Sequence, residues 1–301
     1  MKKLFRTESI VAIGVCASDA VVAAQDGPPK IGMTFQEMNN PYFVSMQEAL
    51  NAAAKTLGSE VVVTDANHDV AKQISDVEDM LQQGIDILLL NPTDSAGIEA
   101  AVTMAKEQGV IVVAVDANAN GPVDTFVGSK NRDAGYMSCK YLAEAMGGQG
   151  EVAILDGIPV VPILQRVEGC KAALAENAGI QLVDTQNGRQ DRSVALGVVE
   201  NMIQSHPNLG GIFSVNDGGA MGALAAIQGS GRDIKLTSVD GAPEAVQAIA
   251  SGTPFIETTA QFPRDQVRVG LGVALAKYWG AQVVPAEVPI DVKVVDSTNA
   301  A

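Results

Sequence analysis

Aromatic residues are scarce in this chain, with seven Phe, four Tyr and one Trp in 301 residues. A core must therefore be built from Ala, Val, Ile and Leu. Basic charge is thin as well. Lys and Arg number 20 against 35 Asp and Glu, a formal net charge of −15. No basic stripe exists to neutralise phosphates, which excludes nucleic acid as a partner. Only two histidines occur, His68 and His206. Neither has a ligand-type residue three or four positions on, so no metal site is expected. The three cysteines form no CxxC. Cys139 and Cys170 fall in apolar helical patterns and read as buried free thiols, with a single disulfide as the alternative. GxSxG, P-loop and GxGxxG patterns are all missing. No acid–base pair is singled out, so no catalytic residue and no cofactor are expected.

What is present is globular. Apolar residues make up 47% and charged residues 18%, enough to bury a core and too apolar for a disordered chain. The first residues carry the parts of a secretory signal. Lys2, Lys3 and Arg6 form a basic start, Ile10 to Ala17 a short apolar run, and Val22-Ala23-Ala24 a small-residue cleavage site. The run is far too short to span a bilayer. Residues 1–24 are therefore read as a signal peptide, and the mature chain as periplasmic.

From Lys30 onward, short β-rich runs alternate with helical patterns. The runs are Ile31–Phe35, Val61–Thr64, Ile85–Leu90, Val110–Val115, Val152–Leu155, Gln181–Val183, Gly211–Val215, Lys235–Val239 and Ile256–Ala260. Most are continuously apolar rather than alternating, as parallel strands covered on both faces require. Phe43, Met46, Ala49, Leu50, Ala53, Ala54 and Leu57 mark one helical face, closed by Gly58. Val70, Ile74, Val77, Met80 and Leu81 mark the next, closed by Gly84. This alternation predicts an α/β fold with doubly wound parallel sheets. The stretches 61–116 and 182–240 echo each other. Each holds three strands ending in polar clusters, Asp65, Asn91 and Asp116 in one, the Gln190 loop, Asn216-Asp217 and Asp240 in the other. A repeat this long predicts two similar lobes. Ligands of parallel sheets bind beyond the carboxyl ends of the strands, so facing lobes would make a polar cleft.

The residues at those ends admit two readings each. Asp116 and Asp240 follow apolar strands and could accept hydrogen bonds from vicinal hydroxyls, or could cap helices. Arg166 could offer paired donors, or form a surface ion pair. In Asn40-Pro41-Tyr42-Phe43, Asn40 caps a helix with Pro41 in its first turn. The two rings could meet the C–H face of a sugar or staple the helix to the core.

Residues 39–43 (NNPYF), Leu90-Asn91-Pro92-Thr93-Asp94-Ser95, Val115-Asp116, Arg166-Val167-Glu168-Gly169, Val215-Asn216-Asp217, Val239-Asp240-Gly241 and Ala260-Gln261 together resemble the ribose-binding group of periplasmic substrate-binding proteins. That resemblance covers residues 30–295. It implies the type I periplasmic binding fold, two lobes joined by a hinge that the chain crosses three times, near residues 129, 261 and 289. The first lobe is then 25–129 plus 261–289, and the second 130–260 plus 290–301. The resemblance places the pocket at Asn40, Tyr42, Phe43 and Asp116 from the first lobe, Arg166, Asn216 and Asp240 from the second, and Gln261 at a crossing. It also implies a monomer that delivers its solute to the membrane permease of an ABC importer, or alternatively a sensor module for chemotaxis or regulation.

Two positions depart from the ribose binders of that group. Ala117 stands where they carry an arginine, and Gln190 where they carry an aromatic residue. One guanidinium and one stacking face are lost, and Gln36 is a candidate to point inward. A larger monosaccharide or a linear polyol is expected rather than ribose itself.

Overall fold

The computed structural model describes residues 27–300. The signal-peptide reading and Cys16 lie outside these residues. The first half begins with β1 (Ile31–Phe35), α1 (Pro41–Leu57), β2 (Val61–Asp65), α2 (Val70–Gln82), β3 (Ile87–Leu90), α3 (Glu99–Glu107), β4 (Ile111–Val115) and β5 (Thr125–Ser129). The second continues with α4 (Asn131–Ala145), β6 (Gln149–Asp156), α5 (Val161–Ala175), β7 (Gly179–Asn187), α6 (Arg192–Ser205), β8 (Leu209–Ser214), α7 (Asp217–Ser230), β9 (Lys235–Asp240), α8 (Pro243–Ala250) and β10 (Phe255–Ala260). The chain ends with α9 (Pro263–Tyr278), β11 (Glu287–Ile290) and β12 (Lys293–Asp296).

These strands form two six-stranded sheets, ordered β11-β5-β4-β3-β1-β2 and β12-β10-β9-β8-β6-β7. All pairings are parallel except that of β12 with β10. The two orders match element for element, so the repeat in the sequence is a repeat of sheets. Each sheet has apolar clusters on both faces. Met33 and Val113 pack under α1 and α9, while Leu88 and Val112 pack under α2 and α3. Sandwiching by helices explains why β1, β3 and β4 are buried at every position.

Local signals set the helix ends. Asn40 caps α1 through its side chain on Tyr42 N–H, Pro41 opens the helix, and Gly58 closes it with φ 73°. Asp69 and Asp191 cap α2 and α6 in the same way.

Cys139 on α4 and Cys170 on α5 form a disulfide, their Cα atoms 4.9 Å apart. The free-thiol reading is thereby corrected. The two apolar patterns were both helical, but sequence alone did not place the helices against each other. They meet backbone to backbone, because a Cβ at Gly135 would collide with the Arg166 carbonyl and one at Gly169 with the Arg132 carbonyl.

The chain passes between the sheets three times. It leaves the first after β5, returns between β10 and α9, which packs on β4 and β5, and leaves again between β11 and β12. Ile290 still pairs with Ser129 in the first sheet, so the last passage falls at residues 291–292, just beyond the expected 289.

Candidate ligand-binding cleft

In both sheets the strand order reverses beside the first strand, between β1 and β3 and between β6 and β8. Crevices open at such points beyond the carboxyl ends of parallel strands. Here the two crevices face one another across the passages. The cleft between them is lined by Asn40, Tyr42, Phe43, Asp116, Ala117, Arg166, Gln190, Asn216, Asp240 and Gln261, all ten residues singled out from the sequence. Gln36 joins them, as do Val160, Pro162 and Ile163 at the start of α5, which sequence reasoning missed. Counted out to its mouth, open solvent included, the space between these residues is about 410 Å³.

Asp116 is not a helix cap. It sits in a three-residue turn after β4, closed by Ala117 N–H on the Val115 carbonyl, with φ 68°. Asp240 ends β9 with φ 138°, and the cap of α8 is Ala242. Both carboxylates thus stand on backbone conformations that L-residues seldom adopt, a strain that clusters at functional sites. Asp116 Oδ1 accepts from the Tyr42 hydroxyl at 2.9 Å, and Oδ2 from Asn91 Nδ2 at 3.1 Å. Asn91 is wholly buried behind it and accepts from the Gln36 N–H at 3.1 Å.

Arg166 is likewise no surface ion pair. Its side chain is 4% exposed. Nε donates to Asn131 Oδ1 at 2.8 Å, and Nη1 to the Val215 carbonyl at 2.8 Å and Asp240 Oδ1 at 3.4 Å. Gln261 Nε2 donates to the same Asp240 oxygen at 2.8 Å. Asp217 lies directly behind. Its N–H donates to Asp240 Oδ2 at 3.3 Å, and its carboxylate takes donors from Ser238, Thr258 and the Ala242 N–H.

Asp116, Asp217 and Asp240 therefore lie close together, with the Arg166 guanidinium against Asp240. Burial pushes Asp116 up to about 6, against the pull of Arg166. Asp217 rises to about 7, through burial and then through Asp240. Burial also raises Asp240, again opposed by Arg166. The Tyr42 phenol is held well above its ordinary value by burial and by Asp116, so it remains a donor at neutral pH.

The remaining walls divide by chemistry. Tyr42 stands edge-on to Phe43, ring centroids 5.2 Å apart. Phe43 lines the cleft and also packs into the core beneath β1, as the core reading of that ring requires. The opposite wall is aliphatic. Asn40 and Asn216 spend their Oδ1 atoms capping α1 and α7, which leaves their amide nitrogens as donors, that of Asn216 already 3.4 Å from the Gln190 carbonyl. Gln190 turns its Oε1 to the Ile158 N–H at 3.3 Å. Asp65, the other strand-end acid of the first repeat, takes the N–H of Asn67 in a local turn and does not reach the cleft.

The site thus sets the carboxylates of Asp116 and Asp240 beside the Arg166 guanidinium and several side-chain amides, between one aromatic pair and an aliphatic wall. Its surroundings match known proteins. Residues 31–280 fit the family model described as a periplasmic binding protein domain. The ribose import binding protein RbsB of Bacillus subtilis is 40% identical over 77% of this chain and 76% of its own length. The xylitol-binding protein of Mycolicibacterium smegmatis is 30% identical over 91% and 79%. A solute-binding protein of an ABC transporter from Actinobacillus succinogenes, solved with bound D-allose, superposes with a TM-score of 0.84 at 30% identity, covering 90% of this chain and 99% of that one. On its sequence, its paired parallel sheets and its interlobe cleft, the chain belongs to the periplasmic binding protein family.

Proposed function

We propose that this protein captures a monosaccharide or sugar alcohol between its lobes and delivers it, unchanged, to the permease of an ABC importer. The observation that carries this reading is the pair Asp116 and Asp240, one from each sheet, facing a common cleft with Arg166 beside them. Vicinal hydroxyls can each donate to a carboxylate oxygen, and ligand contacts to both lobes favour the closed arrangement. The relatives that bind ribose, xylitol and allose support the ligand class. Ala117 leaves Asp116 without a second guanidinium from the adjoining residue, and the wall of Val160, Pro162, Ile163 and Gln190 offers no aromatic ring to stack on. Both features favour a hexose or linear polyol over ribose.

The three passages serve as the hinge, dividing the described chain into lobes of 27–129 plus 261–290 and of 130–260 plus the tail from 291. A buried disulfide persists in oxidising compartments, which supports export of a chain begun by a signal peptide at 1–24. The protein acts as a monomer, and a chemoreceptor is a second partner that its closed form could engage.

The test is calorimetric titration with D-ribose, D-allose, xylitol and myo-inositol, followed by recovery of the ligand. Tight binding of a hexose or polyol, weak binding of ribose and an unaltered ligand are expected. Asp116→Asn and Asp240→Asn preserve shape, and Asn tolerates the unusual backbone. Each is expected to weaken binding on the order of 100-fold, within the about 2–5 kcal/mol typical of a buried charged contact. Tight ribose binding would overturn the ligand assignment, and undiminished binding by both variants would overturn the site.

A further inference from the structure

Gln266 does not line the cleft, yet it is wholly buried on α9, behind Tyr42. Its Nε2 donates to the Tyr42 hydroxyl oxygen at 2.9 Å and to Ser129 Oγ at 2.7 Å. Ser129 is the last residue of β5, where the chain first leaves the first sheet. The Tyr42 hydroxyl in turn faces two acceptors, Asp116 Oδ1 at 2.9 Å and Gln261 Oε1 at 3.4 Å.

A phenol carries one proton. The carboxylate is both nearer and the stronger acceptor, so the proton belongs to Asp116. The phenol oxygen must then receive a hydrogen, which fixes the Gln266 amide with its NH₂ toward Tyr42. This orientation leaves Gln266 Oε1 buried with no partner among the described residues. An orphaned amide oxygen is costly. The rest of the buried stripe of α9 is Val267, Gly270, Leu271, Ala274 and Leu275, with Tyr278 at its end. A side chain serving only the packing of this stripe would be apolar.

We infer that Gln266 is a positioning residue for ligand capture, holding the Tyr42 hydroxyl as a donor to Asp116 and tying that contact to the first passage at Ser129. The inference rests on the cleft being the ligand site. With Tyr42 on one oxygen and Asn91 on the other, Asp116 meets the ligand with its remaining lone pairs in fixed directions. Because the other partner of Gln266 sits at a passage, the angle between the lobes and the aim of Asp116 are set by one side chain.

The full-length variants Gln266→Met and Tyr42→Phe test this. The first keeps the side-chain length and removes both bonds. One readout needs no ligand: the titration of Asp116 followed by its carboxyl carbon in NMR. The hydrogen bond from Tyr42 lowers the Asp116 pKa, so both variants are expected to move it upward. A titration that shifts in Tyr42→Phe and stays in place in Gln266→Met overturns the inference. The second readout is the dissociation constant for the tightest binder among D-ribose, D-allose, xylitol and myo-inositol. A rise of about tenfold is expected in Gln266→Met, with the double variant no weaker than Tyr42→Phe alone. Additive losses overturn the inference, since Gln266 would then act on its own. Failure of the native protein to bind any of these sugars sinks the sugar-binding reading, while the Asp116 titration still decides the role of Gln266.

Discussion

Glu257 is a carboxyl of the second lobe with no cation among its side-chain partners in the described residues. It is wholly buried on β10, and its carboxyl oxygens meet only the hydroxyls of Thr259 at 2.6 Å and Ser138 at 2.7 Å. Burial pushes it up to about 8. The Ser138 hydroxyl is also 3.1 Å from the Ser238 carbonyl. Ser138 has one proton to share between these two acceptors, so its bond and that of Thr259 only partly offset the burial of Glu257. The sign of the linkage follows. The folded state binds this proton more tightly than the unfolded state, so stability is greatest below the ordinary carboxylate range and is lost as pH rises toward 8. Glu257→Gln supplies the same donor without a proton to lose. It is expected to match the native protein near pH 4 and to be more stable at pH 7 by on the order of 2–3 kcal/mol. Thermal melts of both proteins at pH 4 and pH 8 check this. Equal differences in melting temperature at the two pH values would show that Glu257 is not neutral in the fold.

At the scale of elements, α4 and α5 act as one piece. Their backbones touch at Gly135 and Gly169, and the Cys139–Cys170 disulfide closes a span of 31 residues. Chain-entropy arguments give such a link about 3–4 kcal/mol. Cys139→Ala with Cys170→Ala is expected to lower the melting temperature by roughly 10 °C, and reduction of the native protein to do the same; calorimetry under oxidising and reducing conditions measures both. Since α5 carries Arg166 and α4 carries its partner Asn131, this pair also sets the guanidinium in the cleft. The apolar periodicity made both helices legible but not their contact, because a disulfide depends on where two helices cross, which no local pattern encodes. The same limit applies to strands. Thr125–Ser129, Glu287–Ile290 and Lys293–Asp296 escaped the reading from sequence. The first carries two small polar residues and a glycine. The other two lie at the outer edges of the sheets, where half-exposed strands need no continuous apolar run. The strand-end residues of the cleft were legible because an apolar run that stops at Asp or Asn announces itself. Gln266 was not, since an amide on a helix gives no sign of the hydroxyl it will meet.

The whole molecule places its packed cores and the passages between its sheets in different segments. Each sheet is sealed on both faces by its own apolar clusters. The material joining them is short: Lys130 after β5, Gln261 and Phe262 after β10, and residues 291–292 between β11 and β12. Two of these passages are fastened to each other, by Lys130 N–H on the Ile290 carbonyl at 3.0 Å and by the exposed pair of Lys130 with Asp291 at 2.6 Å. A rotation of the lobes must be absorbed at such segments, because packed cores deform little. Under the proposed function, a ligand that bridges Asp116 and Asp240 would contact both lobes only when they are close and would shift the population toward the closed form. Small-angle scattering is therefore expected to show a fall in radius of gyration on saturation with the ligand found by calorimetry. Asp240→Asn removes one end of the bridge and is expected to abolish the fall at the same ligand concentration, with its circular dichroism unchanged. Breaking the Lys130–Asp291 pair with Asp291→Asn is expected to leave both affinity and closure nearly unaltered, since exposed ion pairs contribute little. A radius that stays constant while calorimetry shows the site filled would mean that the lobes do not move on binding, and the passages would then be linkers rather than a hinge.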